Sequence, residues 1–181
     1  MKLYIVTTNN NKYKELSLVF ENHFQCEQKV LEIVEIQGTP EAIINDKLQK
    51  AYQQFQAPVL VDDVSAGLEY LGWEFPGPYV KPMLQNNSVQ HLADLFEGSG
   101  VVGHCRLGLQ VDATMKLVVC GELRGKIVQP RGDRKFGFDP IFEVEGTGKT
   151  LAEMSLEEKN VISHRGKAIE FLKKQILLLK F

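Results

Sequence analysis

The first apolar and polar positions predict a strand, a polar turn and a helix. Residues 3–6 are mostly apolar and end in hydroxyl and amide residues, after which Leu16, Val19 and Phe20 recur at helical spacing. We expect the first helix over residues 12–20.

A second helix is predicted after residue 39. Thr39 is an N-cap residue, Pro40 suits the first helical position, and Glu41 places an acid in the first turn. One apolar stripe follows, at Ile44, Leu48, Ala51 and Phe55.

The next apolar run predicts a buried strand. Residues 58–61 are apolar on both faces, and we expect this strand to deliver Asp62 and Asp63 at its carboxyl end. Ligands bind at such strand ends in open α/β sheets.

The second half of the chain adds a hairpin and a last helix. Residues 103–111 and 116–128 have strand patterns joined at 112–114, so the sheet is mixed rather than wholly parallel. Residues 163–179 predict a helix capped by Ser163, with apolar positions at Ala168, Leu172, Ile176 and Leu179.

Composition limits the architecture and the partners. With 181 residues, 44% hydrophobic and 24% charged, the chain fits one α/β domain, 1–181, in which helices flank a mixed twisted sheet and a cleft separates two lobes. The net charge of −2 argues against binding nucleic acid through a broad basic surface.

Cysteine usage and hydropathy indicate a compartment. Cys26, Cys105 and Cys120 are far apart and form no CxxC pair, which favours free thiols over a disulfide framework or a zinc site. No apolar run approaches a membrane span. We expect a soluble cytoplasmic protein.

The polar turn at residues 7–12 is a candidate phosphate site. Backbone N–H groups at the start of a helix and the positive end of its dipole favour anions, and Lys12 would add a charge. An Asn-rich turn with a solvated lysine fits the same residues.

Acidic residues suggest a metal site. Glu35 has apolar neighbours, and Asp62 and Asp63 follow the predicted buried strand. Hard oxygen ligands of this kind suit Mg²⁺, which uses few protein carboxylates and keeps positions for water and phosphate. Exposed acids at strand ends are the alternative.

Aromatic and basic residues near the C-terminus suggest a base-binding site. Residues 136–140 read Phe-Gly-Phe-Asp-Pro and present two rings that could stack on a base or pack in the core. Lys159, His164 and Arg165 flank the predicted start of the last helix.

A phosphate-binding P-loop is not predicted at residues 146–150. This segment, Gly-Thr-Gly-Lys-Thr, ends like a Walker A sequence, but that pattern needs glycine at position 143, which is Glu143.

Together with residues 76–81, Pro-Gly-Pro-Tyr-Val-Lys, these segments resemble the inosine triphosphate pyrophosphatase family in its eukaryotic type. The resemblance implies an ITPase-like fold with a nucleotide-binding cleft, and hydrolysis of non-standard purine nucleoside triphosphates to monophosphate and pyrophosphate. It also implies Mg²⁺, for which Mn²⁺ can substitute, and a homodimer without nucleic-acid or membrane partners.

The resemblance implies roles for individual residues. Glu35 and Asp63 bind metal, and Asp63 and Lys12 are catalytic. Phe136 stacks on the purine, whose edge is lined by Asp139, His164 and Arg165. The other implied substrate contacts are Thr7, Thr8, Asn9, Asn10, Asn11, Lys47, Val64, Lys81, Gly137, Phe138 and Lys159.

The chain departs from the family pattern in the middle and near the end. Val64 stands where the family usually has Ser or Thr, and the segment up to Pro76 is one residue longer. Phe138 replaces a frequent Trp or Tyr. Two other functions remain open: a nucleotide-binding module without turnover, and a pyrophosphatase for a modified pyrimidine.

Overall fold

The computed structural model describes residues 2–21, 24–133 and 137–178. Within them the strands are β1 Lys2–Val6, β2 Gln25–Lys29, β3 Val59–Leu68, β4 Pro76–Gly77, β5 Gly100–Gln110, β6 Lys116–Ile127 and β7 Phe142–Val144. The α-helices are α1 Asn10–Phe20, α2 Pro40–Phe55, α3 Val80–Asn86, α4 Val89–Phe96, α5 Leu156–Ile162 and α6 His164–Leu178.

The strands form one mixed sheet. Their order is β2-β1-β3-β5-β6-β7, and β4 pairs with β3. Strand β1 is parallel to β2 and to β3, whereas β4 is antiparallel to β3 and β7 is antiparallel to β6. The predicted α/β class with a mixed sheet is confirmed.

The chain divides into two compact units. The first contains Met1–Asp63, Arg106–Cys120 and Ala168–Phe181, and the second contains Val64–Cys105 and Gly121–Lys167. Three long strands and α6 therefore contribute residues to both units. The prediction of a single domain over residues 1–181 stays a prediction.

In the first unit, α2 packs its apolar stripe onto the parallel strands. Thr39 caps the helix by accepting a hydrogen bond from the N–H of Ala42 on its hydroxyl, as predicted. Its stripe joins a core with residues of β1 and β3, made up of Val6, Ile44, Leu48, Ala51, Val59 and Val61. This packing fixes where α2 holds its polar side chains.

The prediction for the first buried strand was wrong in its length. Strand β3 does not end before Asp62; it continues to Leu68, so both aspartates lie inside it. Near the start of β3, Val59 and Leu60 pair with β1. Near its end, Ala66 and Gly67 pair with β4. Both carboxylates are consequently buried rather than exposed at a strand end.

The second unit has its own apolar core. This core joins the later part of β3 with α4, β6, β7 and the short helix at residues 151–153; its buried members are Leu68, Leu92, Ala93, Val101, Leu123, Ile127, Ile141, Phe142, Val144, Leu151 and Met154. Phe138 is partly buried against it. One predicted ring therefore packs against the core.

The predicted hairpin connects β5 and β6. The Asp112 side chain accepts hydrogen bonds from the N–H groups of Thr114 and Met115, at 2.7 and 2.8 Å, and Val111 N–H donates to the Met115 carbonyl. The turn at 112–114 is thus confirmed.

The C-terminal segment contains two helices rather than one. Ser163 caps α6, as predicted, because its hydroxyl accepts a hydrogen bond from the N–H of Gly166 at 3.1 Å. Helix α5 precedes it and begins at a capping box formed by Ser155 and Glu158. Ala168, Leu172 and Ile176 of α6 are buried as expected, and Leu179 lies outside the described residues.

None of the helices in the described part of the chain is long and apolar enough to cross a membrane.

Candidate active site

The polar turn between β1 and α1 forms the capped N-terminus of α1. The Asn9 side chain caps α1: its Oδ1 accepts hydrogen bonds from the N–H groups of Asn11, at 2.9 Å, and Lys12, at 3.2 Å. The Thr7 hydroxyl accepts from the Asn9 N–H at 3.1 Å. The Asn9 cap thus occupies two N–H groups of α1, and the positive end of the helix dipole still favours an anion at this turn.

Lys12 is held by one of the two buried aspartates. Its Nζ lies 2.7 Å from Asp62 Oδ2, and the Asp62 side chain is only 3% exposed. The sequence identified Asp62 as one acid of a pair but did not predict this partner. Asp62 thus fixes the lysine of the turn in place.

Lys47 joins the other aspartate to Glu35. Its Nζ lies 2.9 Å from Asp63 Oδ1 and 3.1 Å from Glu35 Oε1. Lys47 comes from α2, Asp63 from β3, and Glu35 from the segment that connects β2 with α2. Three separate segments therefore bring two carboxylates to one ammonium group.

Burial and ion pairing shift the pKa values of Asp63 and Lys47. It raises the pKa of the Asp63 carboxyl above its ordinary value, and the Lys47 ammonium opposes this rise without cancelling it. Burial alone would lower the pKa of Lys47, but the negative charges of Asp63 and Glu35 outweigh it, so the pKa of Lys47 is raised. Lys47 stays protonated, while Asp63 is a stronger base than an ordinary aspartate.

The cluster fits a magnesium ion with few protein ligands. Glu35 and Asp63 already converge on a cation, the Lys47 ammonium. Within residues 2–21, 24–133 and 137–178, no three His, Cys, Asp or Glu side chains come together as a metal site. Two carboxylates leave most of the coordination to water and phosphate oxygens, as Mg²⁺ prefers.

The remaining predicted site residues belong to the second unit. Lys159 of α5 and Asp139 form an ion pair whose side chains are 12% and 8% exposed. His164 and Arg165 are the first two residues of α6, and Arg165 is buried. The Ser163 cap and the ion pair thus lie at the same helix junction.

The other predicted substrate contacts have mixed settings. Val64 is half-buried in β3, Lys81 is exposed at the start of α3, and Gly137 has a positive φ of 55°. Phe136, predicted to stack on the purine, lies outside the described residues. All of these contacts stay predictions.

Gln28 of β2 is part of the polar turn although no sequence signal indicated it. Its Nε2 donates a hydrogen bond to the Thr7 carbonyl and another to Asn10 Oδ1, each at 3.1 Å. Gln28 faces Ile5 in the register of β1 and β2. Only the pairing of these strands brings it to the turn.

The segment at residues 146–150 is a tight turn and not a P-loop. Val144 N–H donates to the Lys149 carbonyl, and Glu143 forms a bridge with Thr150 across the turn. Gly146 and Gly148 both have positive φ, at 76° and 68°. The chain therefore folds back here instead of cradling a phosphate.

Comparison with known proteins identifies the family. The sequence model of a family described as the Ham1 family matches residues 3–175 of this chain. The chain belongs to the Ham1 family. Two relatives named inosine triphosphate pyrophosphatase come from fungi. That of Pyricularia oryzae is 37% identical, covering 92% of this chain and 89% of the relative. That of Neurospora crassa is 38% identical, covering 91% and 86%.

Solved structures of other proteins share the fold. A HAM1 protein from Coxiella burnetii has a TM-score of 0.81 and 25% identity, over 98% of this chain and 99% of that chain. A nucleoside-triphosphatase, or dITP/XTP pyrophosphatase, from Mycobacterium abscessus has a TM-score of 0.73 and 27% identity, over 95% and 98%.

The cluster predicts that Lys47→Gln destabilises the protein. Without the ammonium group, Asp63 keeps a buried charge beside Glu35, so the free energy of unfolding should fall by roughly 3 kcal/mol. Urea unfolding at neutral pH measures the change.

Lys50→Gln is the matched control on the same helix. Lys50 pairs with Asp46 at a more exposed position, where the side chains are 40% and 23% exposed. Its loss should cost about 0.5 kcal/mol or less. Equal effects of the two substitutions would contradict a special role for Lys47.

Proposed function

We propose that this Ham1-family protein hydrolyses inosine and xanthosine (deoxy)nucleoside triphosphates to the monophosphate and pyrophosphate, which removes deaminated purines from the nucleotide pool. The main support is the cluster in which Glu35 and Asp63 converge on Lys47. A water-activating acid beside a cation is needed for hydrolysis and not for binding alone. The fungal relatives named inosine triphosphate pyrophosphatase support the same reaction.

In this mechanism Asp63 is the base. It orients a water molecule and takes its proton as the oxygen attacks the α-phosphorus and pyrophosphate leaves. Bound Mg²⁺, held by Glu35 and Asp63, would neutralise phosphate charge that otherwise repels the nucleophile, and Mn²⁺ can replace it.

The lysines and the polar turn position the triphosphate. Lys12 and Lys47 are each oriented by a buried aspartate, so their charges are already in place when substrate binds. The positive end of the α1 dipole adds to the attraction for phosphate. The family resemblance supports Lys81 and Lys159 as further substrate contacts.

Selectivity comes from hydrogen-bond polarity at the purine edge. Inosine and xanthosine carry a 6-keto acceptor where adenosine has an amino donor, so the Arg165 guanidinium pairs with the former and opposes the latter. Burial of Arg165 at the start of α6 strengthens this discrimination, because a wrong partner there leaves donors unpaired.

We also propose a cytoplasmic homodimer that binds neither nucleic acid nor membrane. The cysteines Cys26, Cys105 and Cys120 are free thiols, which suits a reducing compartment. Trp73 and Phe75 are 42% and 53% exposed and are candidate subunit contacts. The dimer itself is supported by the family resemblance.

Pyrophosphate release from ITP, XTP, GTP and ATP tests the reaction. With Mg²⁺, we expect rapid release from ITP and XTP and little from ATP, and a chelator should stop it. Guanosine shares the 6-keto group, so little release from GTP additionally requires that the pocket reject its 2-amino group. Release that continues without metal would contradict the magnesium proposal. If none of the four nucleotides releases pyrophosphate, the proposed enzymatic activity is contradicted, and a binding module or a different nucleotide substrate is favoured.

Asp63→Asn should lower kcat for ITP by about 10³-fold, because the amide cannot take the proton from water. Nucleotide binding, measured by calorimetry, should persist, since the side chain keeps its shape.

Asp112→Asn in the β5–β6 turn is the control, because Asn also suits this turn, and it should leave kcat unchanged. Near-normal turnover of Asp63→Asn would remove Asp63 from the mechanism.

Arg165→Ala should reduce the ratio of kcat/KM for ITP to that for ATP by about tenfold, because a charged donor at the purine edge is lost. Arg124→Ala is the control. It removes an arginine of β6 whose side chain is 56% exposed, and it should keep the wild-type ratio of the two kcat/KM values. If Arg165→Ala also keeps this ratio, another residue reads position 6 of the purine.

A further inference from the structure

Gln28 links strand β2 to the polar turn through both hydrogens of its amide. One hydrogen bond goes from Nε2 to the Thr7 carbonyl and the other from Nε2 to Asn10 Oδ1. Gln28 itself is half-buried, whereas Asn10 is exposed at the first position of α1. A strand residue therefore holds an exposed side chain of the turn.

The chemistry of these atoms fixes the orientation of Asn10. A backbone carbonyl can only accept, so the Gln28 atom beside Thr7 must be the amide nitrogen. That nitrogen can only donate, so the Asn10 atom beside it must be the oxygen. The amino group of Asn10, a pure donor, then occupies the other branch of its carboxamide.

The side chains of Thr7 and Asn9 in the same turn also use their oxygen atoms as hydrogen-bond acceptors. The Thr7 hydroxyl accepts from the Asn9 N–H, and Asn9 Oδ1 accepts from two N–H groups of α1. In all three side chains an acceptor oxygen is thus engaged within the protein. These bonds also occupy the N–H groups of Asn9, Asn11 and Lys12, so the amino group of Asn10 is the side-chain donor that the turn keeps for a phosphate oxygen.

We propose that Gln28 is a positioning residue of the triphosphate site, acting through Asn10. By holding Asn10 Oδ1, it keeps the Asn10 amino group available to a phosphate oxygen before substrate arrives. Without Gln28 the carboxamide can rotate and present its oxygen, which repels an anion. This assignment rests on the proposed function, in which the polar turn binds the triphosphate.

A double-mutant cycle between Gln28 and Asn10 tests the assignment. Gln28→Met, Asn10→Ala and the double variant are compared by kcat and KM for ITP and by calorimetric binding of inorganic tripolyphosphate. Each single variant should raise KM and the dissociation constant about tenfold, with kcat nearly unchanged. The double variant should bind no worse than the single variants, because Gln28 acts through Asn10.

Two further variants separate positioning from structure. Gln28→Glu keeps the size of the side chain but offers only acceptors, so Asn10 would turn its amino group inward and tripolyphosphate should bind still more weakly. Gln25→Met changes an exposed glutamine of the same strand, paired with Lys2, and should leave both measurements unchanged.

Several results would overturn the proposal. Multiplicative losses, about a hundredfold in the double variant, would show that Gln28 acts independently of Asn10. Wild-type binding of tripolyphosphate by Gln28→Glu would also overturn it, as would failure of the wild type to bind tripolyphosphate. If the wild type binds tripolyphosphate but does not hydrolyse ITP, the proposed reaction fails, and the cycle measured by calorimetry still decides the role of Gln28.

Discussion

The candidate site depends on the cost of burying charge. Asp62 and Asp63 lie inside a strand of the sheet, and a carboxylate removed from water is stable there only with a cationic partner. Lys12 and Lys47 supply these partners at 2.7 and 2.9 Å. The sheet can therefore carry two acids in its interior only because α1 and α2 each bring a lysine to it.

That requirement explains why the helices are so firmly anchored. Asn9 caps α1 and Thr39 caps α2, and the apolar stripe of α2 is completely buried at Ile44, Leu48 and Ala51. A helix that slid or frayed would move its lysine and leave an aspartate uncompensated. Ordinary packing and capping thus preorganise the electrostatics on which the proposed hydrolysis depends.

Much of this architecture could be predicted from local signals. The Thr39 and Ser163 caps, the first strand with its turn and helix, and the hairpin at 112–114 all depend on nearby residues, and the structure has each of them. Helix α5 also had such a signal, because Ser155 and Glu158 form a capping box, but it was not predicted. The length of β3 could not be found this way: its polar residues looked like a strand end, and the lysines that allow their burial come from distant helices. The role of Gln28 depends in the same way on strand pairing, which a single sequence does not display.

The separate partners of Asp62 and Asp63 have a consequence for the evolution of the chain. Adjacent side chains of a strand point to opposite faces of its sheet. Asp62 and Asp63 are neighbours in β3, so they point to opposite faces and pair with different lysines. A single inserted or deleted residue between Val59 and Asp62 would shift the pairing register and exchange the faces of the two acids. Changes in length should therefore be rejected in this half of the strand and tolerated in the connection beyond Leu68.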